Sequence, residues 1–284
     1  MMINNLLLGV GAMKSATTWV FRILSENPDI YFSPEKEIHY FAHINRVQDP
    51  LNLTQRYLRF KNAIQRTNPQ KVDGLELRSK ILWYANYLSD PIDDIWYLNL
   101  FPHRGVQKYC ADFSNLYCHL DDEGWQNVRR IAHNLKVIYI MRDPWRRLWS
   151  HIRFHAAIVG RFDDLKCWGA EEISAFAKKD YIWMNTRFSK CVESLKKNLS
   201  RSELRIYFYE DIHEECSSWL GELENFLEIP HRVYSNEILF TNVNVTDALP
   251  MPEFFYELFQ KEFEREIDRL EKLGMTVPNS WGRI

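Results

Sequence analysis

The stretch Lys136-Val137-Ile138-Tyr139-Ile140-Met141-Arg142-Asp143-Pro144-Trp145-Arg146-Arg147-Leu148-Trp149-Ser150-His151 decides the architecture. Lys136 to Met141 is β-branched and apolar on both faces, as a central strand of a parallel sheet must be. Pro144 stands where a helix would begin, at the position that tolerates its missing N–H. Arg142 therefore falls at the carboxyl end of a strand, where open α/β sheets bind ligands. Ser150 lies nearly two turns into the helix. Strand end and helix face can then offer a guanidinium fork and a hydroxyl to one anion. Two other readings stay open: a surface arginine cluster, or a strand ending on Asp143 as a magnesium ligand.

Working outward, short apolar runs alternate with helical patterns. Leu6 to Val10, Val106 to Ala111 and Leu204 to Tyr209 read as further strands. Ala16 to Asn27 reads as a helix stopped before Pro28. Trp125 to Asn134, Tyr181 to Leu199, Glu210 to Leu227 and Glu253 to Leu273 read as helices, the last ending at Gly274. The alternation predicts an α/β fold, a central parallel sheet flanked by helices, in one domain over 1–284. Residues 42–102 are polar and irregular and read as an insertion carrying short helices, on the acceptor side. Phe255, Phe259, Phe263, Ile267 and Leu270 recur at helical spacing and read as core packing.

Composition excludes whole classes of function. The 284 residues are 46% hydrophobic and 26% charged, so the chain is not disordered. A net charge of -2 excludes a generic polyanion binder, so no nucleic-acid partner is expected and any anion site is local. The many aromatics read mainly as a large core. The apolar stretch Leu6 to Met13 is too short to span a bilayer and lacks a preceding basic run. Five cysteines with no CxxC suggest neither a disulfide framework nor a zinc site, and a reducing, cytoplasmic setting fits.

Two more segments carry chemistry. Leu6 to Trp19 (LLLGVGAMKSATTW) is a strand, a turn and a helix. Its small residues let backbone N–H groups turn onto a phosphate at a helix N-terminus. Lys14 adds a mobile charge, and Thr17 and Thr18 add hydroxyls. The pattern is P-loop-like, but Met13 stands where the Walker motif has Gly before its Lys. Ser33 to Phe41 (SPEKEIHYF) places Glu37 and His39 two apart, on one side of an extended chain. Either could accept a proton from a hydroxyl.

Together these segments resemble one family, the sulfotransferases that use 3′-phosphoadenosine 5′-phosphosulfate (PAPS). Lys14 to Trp19 (KSATTW) is similar to the family's 5′-phosphosulfate loop, KxGTT. Arg142 to Ser150 is similar to its 3′-phosphate motif, RDPxxRxxS. Lys36 to Phe41 (KEIHYF) resembles the KEVHFF segment of the carbohydrate, heparan-type branch. Asp112 to Tyr117 is similar to that branch's E-x-[ST]-P-x-Y, Phe208 to Asp211 to its FYED, and Leu270 to Trp281 to its closing helix and tail. The resemblance spans most of the chain in the family's order. It implies sulfuryl transfer to a hydroxyl or amine, on a saccharide or glycolipid, with PAP released and no metal required. Lys14 and loop residues Ser15, Ala16, Thr17 and Thr18 would hold the 5′-phosphosulfate. Trp19 would stack on adenine, Arg142 and Ser150 would hold the 3′-phosphate, and Tyr209 would join the nucleotide site. Glu37 would be the base, with His39 orienting the acceptor or sharing the proton.

The sequence departs from the pattern in places. Ala16 replaces a Gly; its methyl suits only a negative φ, so an altered loop is expected. Asn115 replaces a Pro, and Ala42 an Asp. No Lys or Arg lies between Ser235 and Tyr256, where cytosolic relatives close the 3′-phosphate site with a basic loop. Two rival readings remain. One is a P-loop ATP-dependent kinase with Asp143 on magnesium, and the other is a non-catalytic nucleotide-binding protein.

Overall fold

A computed structural model describes residues 2–68, 72–102, 104–240 and 249–282. Five parallel strands form the sheet: β1 (Ile3–Gly9), β2 (Ile30–Phe32), β3 (Tyr109–Phe113), β4 (Ala132–Met141) and β5 (Leu204–Phe208), in the order β2-β3-β1-β4-β5. Leu6 lies opposite Cys110 and Gly9 opposite Phe113 in the β1–β3 register. A Cβ on Gly9 would stand 2.5 Å from the Phe113 ring, so only glycine lets the two strand ends approach. The chain leaves the neighbours β1 and β4 in opposite directions. The loops after both therefore lie at the switch point where such sheets hold ligands.

The chain separates into two compact units, Met1–Val10 with Leu24–Val137, and Gly11–Ile23 with Ile138–Ile284. In the first, the segment expected to carry short helices holds α2 (Tyr40–Ile44), α3 (Leu53–Gln65), α4 (Gly74–Tyr87) and α5 (Asp94–Asn99), following α1 (Thr17–Ser25), with α3 and α4 longer than expected. Arg56 of α3 holds them together. Its buried guanidinium donates to the carbonyls of Leu51, Tyr87 and Ser89 and to Asp90. The aromatics are core: Tyr40 stacks on Tyr97 at 4.7 Å and Trp83 on Tyr87 at 5.1 Å. Helix α6 (Asp122–Ile131) starts where the Asp121 carboxylate accepts from Gly124 N. It ends three residues before the predicted boundary, because 132–134 already belong to β4.

In the second unit α7 (Pro144–Ile158) begins as expected, with Pro144 in its first turn. Two predicted helices are broken. Tyr181 to Leu199 divides into α9 (Asp180–Trp183), a 3-10 turn (Met184–Thr186) and α10 (Phe188–Asn198), after α8 (Ala170–Ala177). Thr186 Oγ1 and Asn185 Nδ2 donate back to the Trp183 and Tyr181 carbonyls and interrupt the ladder. Glu210 to Leu227 divides into α11 (Tyr209–Glu214) and α12 (Cys216–Leu227) at the non-helical Glu215. A short α13 (Asn236–Phe240) precedes the final α14 (Phe254–Lys272), whose Phe255, Phe259 and Phe263 are buried against Trp145 and Trp149 of α7, as their spacing implied.

Candidate active site

The second unit holds the residues expected to bind the anion. Gly11 and Ala12 continue the sheet's ladder, with Ala12 N donating to Ile140 O at 2.7 Å and Ile140 N to Gly11 O at 2.8 Å. The backbone then turns through two left-handed residues, Lys14 at φ 70° and Ala16 at φ 60°. The expectation for Ala16 is thus corrected. The alanine adopts the conformation that a glycine would favour, and the loop is kept at a steric cost of roughly 1–2 kcal/mol. Ala16→Gly should relieve it, less the extra entropy that glycine loses on folding. The expected result is a gain of up to about 1 kcal/mol in denaturant unfolding.

The Ala16 carbonyl receives the Trp19 and Val20 amides and opens α1, whose first turn carries no acidic side chain. An anion can therefore approach its positive end. Ser15 is fully buried, and its hydroxyl has no hydrogen-bond partner among the described residues. Lys14 Nζ lies 4.6 Å from the centroid of the Phe154 ring. Arg142, just past β4, donates from Nη1 to the Lys14 carbonyl at 3.3 Å and stacks 4.3 Å over the Tyr209 ring. Its buried Nε has no hydrogen-bond partner among the described residues. Ser150 is buried on α7. Trp19 is 6% exposed, donates from Nε1 to Leu239 O, and lies 5.8 Å from both His213 and Trp219. His213 continues the row to Tyr209 at 4.2 Å. Burial and the Arg142 charge lower the His213 pKa, so neutrality of that ring is favoured. Residues 241–248, the middle of the stretch read as lacking a basic loop, lie outside the described residues.

Asp143 is no open metal ligand. It is 4% exposed; one carboxylate oxygen caps α7 by accepting from Arg146 N and the other accepts from Gly282 N. Its own amide donates to Glu210 Oε1, and Glu210 Oε2 accepts from Trp281 Nε1. The FYED segment and the closing tail are thus structural ties to the turn after β4. That removes the magnesium role on which the kinase reading rested.

Glu37 and His39 belong to the first unit. They do not lie in extended chain as their spacing suggested; both are left-handed, at φ 65° and 61°. Their side chains converge nonetheless, with His39 Nε2 3.4 Å from Glu37 Oε2. Glu37 Oε1 accepts from Lys36 Nζ at 2.9 Å and Asn115 Nδ2 at 3.2 Å. Burial alone would raise the Glu37 pKa, but the Lys36 charge and the His39 hydrogen bond outweigh it and hold the carboxyl far below its ordinary value. The Glu37 side chain is 30% exposed and that of His39 6%, so the carboxylate is the more accessible member. Arg59 of α3 donates to the Glu37 carbonyl at 2.6 Å, and Tyr84 of α4 donates to Glu35. Helices α3 and α4 therefore brace this segment. Sequence reading missed Asn115, Arg59, Phe154 and His213, because nothing in their local pattern marks a long-range contact.

A family model described as "Sulfotransferase domain" matches residues 6–251. No curated protein matches by sequence. Among solved structures, a sulfotransferase from Alicyclobacillus acidocaldarius is similar over 100% of both chains, at 19% identity and a TM-score of 0.64. The sulfotransferase domain of the curacin biosynthetic pathway is similar over 98% of this chain and 99% of its own, at 17% and 0.56. That of the Synechococcus PCC 7002 olefin synthase is similar over 97% and 95%, at 17% and 0.54.

Proposed function

The chain belongs to the sulfotransferase domain family, and from that premise we propose that it moves a sulfuryl group from PAPS to a hydroxyl, or an amine, of a saccharide or glycolipid, releasing PAP. The observation that carries the donor assignment is the loop of the second unit. Lys14 and Ala16 are held left-handed there, and Arg142 is bonded to the Lys14 carbonyl. A non-glycine residue in this region persists only where its surroundings impose it, and such residues cluster at ligand clamps.

Lys14 stabilises the charge that develops on the leaving 5′-phosphate oxygen. The hydroxyls of Ser15, Thr17 and Thr18 and the amides opening α1 hold that phosphate. Trp19, with the His213–Tyr209 row, takes the adenine side, and Arg142 and Ser150 take the 3′-phosphate. Glu37 accepts the proton of the attacking hydroxyl, while His39 lies behind it to share the charge. Fixed donors suffice, because a sulfuryl group carries less negative charge than a phosphoryl group, and the reading assigns no metal. The acceptor class rests on the KEIHYF resemblance to the heparan-type branch. Among the described residues no helix is long and apolar enough to cross a membrane. The free cysteines support a cytoplasmic, reducing setting.

Calorimetry with PAP and with 5′-AMP tests the donor assignment. Charge-assisted contacts contribute about 1.5–3 kcal/mol each, so PAP should bind at least about tenfold more tightly than 5′-AMP. Equal affinities would remove Arg142 and Ser150 from the 3′-phosphate and overturn the assignment.

A further inference from the structure

We propose that residues Asp112 to Tyr117, the end of β3 and the turn after it, form a positioning template for the proton-accepting segment: Asp112 acting through Ser114, together with Asn115, holds Glu37 and His39 in their working conformation. The inference rests on the assignment of Glu37 as proton acceptor.

Glu37 and His39 are two left-handed residues separated by one position. L-residues avoid that conformation, so something outside the segment must impose it. Three contacts from one short stretch do so. Glu37 N donates to Phe113 O at 3.0 Å, and His39 N donates to Ser114 Oγ at 2.9 Å. Asn115 Nδ2 donates to the Glu37 carboxylate at 3.2 Å. Asn115 stands where the resembling pattern has Pro, which has no donor to offer.

The serine contact depends on Asp112. A hydroxyl has one proton. Ser114 spends it on Asp112 Oδ1 at 2.6 Å, which leaves its oxygen turned to the His39 amide. Asp112 Oδ2 accepts from Tyr117 at 2.6 Å and Tyr97 at 3.2 Å, and Tyr117 in turn accepts from Phe41 N at 3.5 Å. The carboxylate, 2% exposed, thus fixes the direction of every hydroxyl around it. Protonated, it would itself become a donor, and one of the hydroxyls that now donate to it would have to turn away.

The groups facing Asp112 are Ser114 and Tyr117 beyond β3, Tyr97 from α5, and His39. Burial raises its pKa, against the hydrogen bonds of Ser114 and Tyr117 and the charge of His39. The working carboxylate form is therefore lost at a higher pH than for an ordinary aspartate. Glu37 is held down instead. An acid limb in the rate should accordingly follow Asp112.

Ser114→Ala and Asp112→Asn in the full chain test this, with PAP calorimetry to verify that each variant is folded. Hydrogen exchange of the Glu37–His39 backbone reads the positioning directly. In Ser114→Ala it should quicken about 5–10-fold, and kcat should fall about tenfold with the donor KM unchanged. Asp112→Asn should flatten the acid limb of the pH–rate profile, which a purely structural role would not move. Ser114→Ala with wild-type exchange and turnover overturns the proposal. A wild-type chain that transfers sulfuryl to no acceptor refutes the functional reading instead, and the exchange rates still decide the positioning.

Discussion

Lys14→Ala lowers kcat by about 10²–10³-fold while the melting temperature stays nearly unchanged. The rate effect follows from what the lysine faces. It lies between the ladder that joins Gly11 and Ala12 to β4 and the start of α1, with its ammonium over Phe154. Removing one preorganised donor from a developing oxyanion typically costs that factor. The stability effect is small for a different reason. Alanine meets the same backbone strain at φ 70° that lysine already bears, and the lysine's contact with the Phe154 ring is partly exposed. Arg142→Ala should separate from it cleanly. Arg142 holds both the Lys14 carbonyl and the Tyr209 ring, so its loss raises the PAP dissociation constant more than it lowers turnover. Near-normal turnover in Lys14→Ala, measured on an accepted substrate at saturating donor, would take the charge-stabilising role away from this residue.

The residues that made the fold legible are those whose pattern answers to one physical cause. Val137 to Met141 must be apolar on both faces because β4 lies between β1 and β5. Pro144 marks the start of α7 because its N–H would be unpaired there in any case. The three-residue β2 was not foreseen, being too short to show a period. The breaks at Met184–Thr186 and Glu215 come from side chains that bond back to the chain or from single non-helical residues, and a periodic count passes over both. The site was legible as motifs and illegible as geometry. Ala16 reads as a helix former, and nothing local announces φ 60°. Asn115 reads as a departure from a pattern until its amide is found on a carboxylate 78 residues away. Glu210 reads as part of a motif, but its role is to join the turn at Asp143 to the tail at Trp281.

Glu37→Gln should lose about 10²–10⁴ in kcat with PAP binding intact, the range for removing a working base. Glutamine keeps the shape of the side chain and its bonds to neighbours that donate, so the left-handed turn and the Asn115 contact survive. What disappears is the negative oxygen pair that receives the proton. The pH dependence separates this carboxylate from its neighbours. Lys36 and His39 hold the Glu37 pKa down, so the group stays ionised as pH falls through 5 and contributes no acid limb there. The sign for stability is the same. A carboxylate whose folded pKa is depressed stabilises the fold above its unfolded value and loses that contribution only as pH falls to the folded one. Melting temperatures of wild type and Glu37→Gln should therefore differ modestly at pH 7 and converge in strong acid. His39→Ala should cost less in kcat and act partly on the acceptor KM, since the imidazole is 6% exposed behind the carboxylate. The two variants are to be compared on one acceptor across pH. Full turnover in Glu37→Gln beside an inactive His39→Ala would make the imidazole the proton acceptor and reduce Glu37 to the group that orients it.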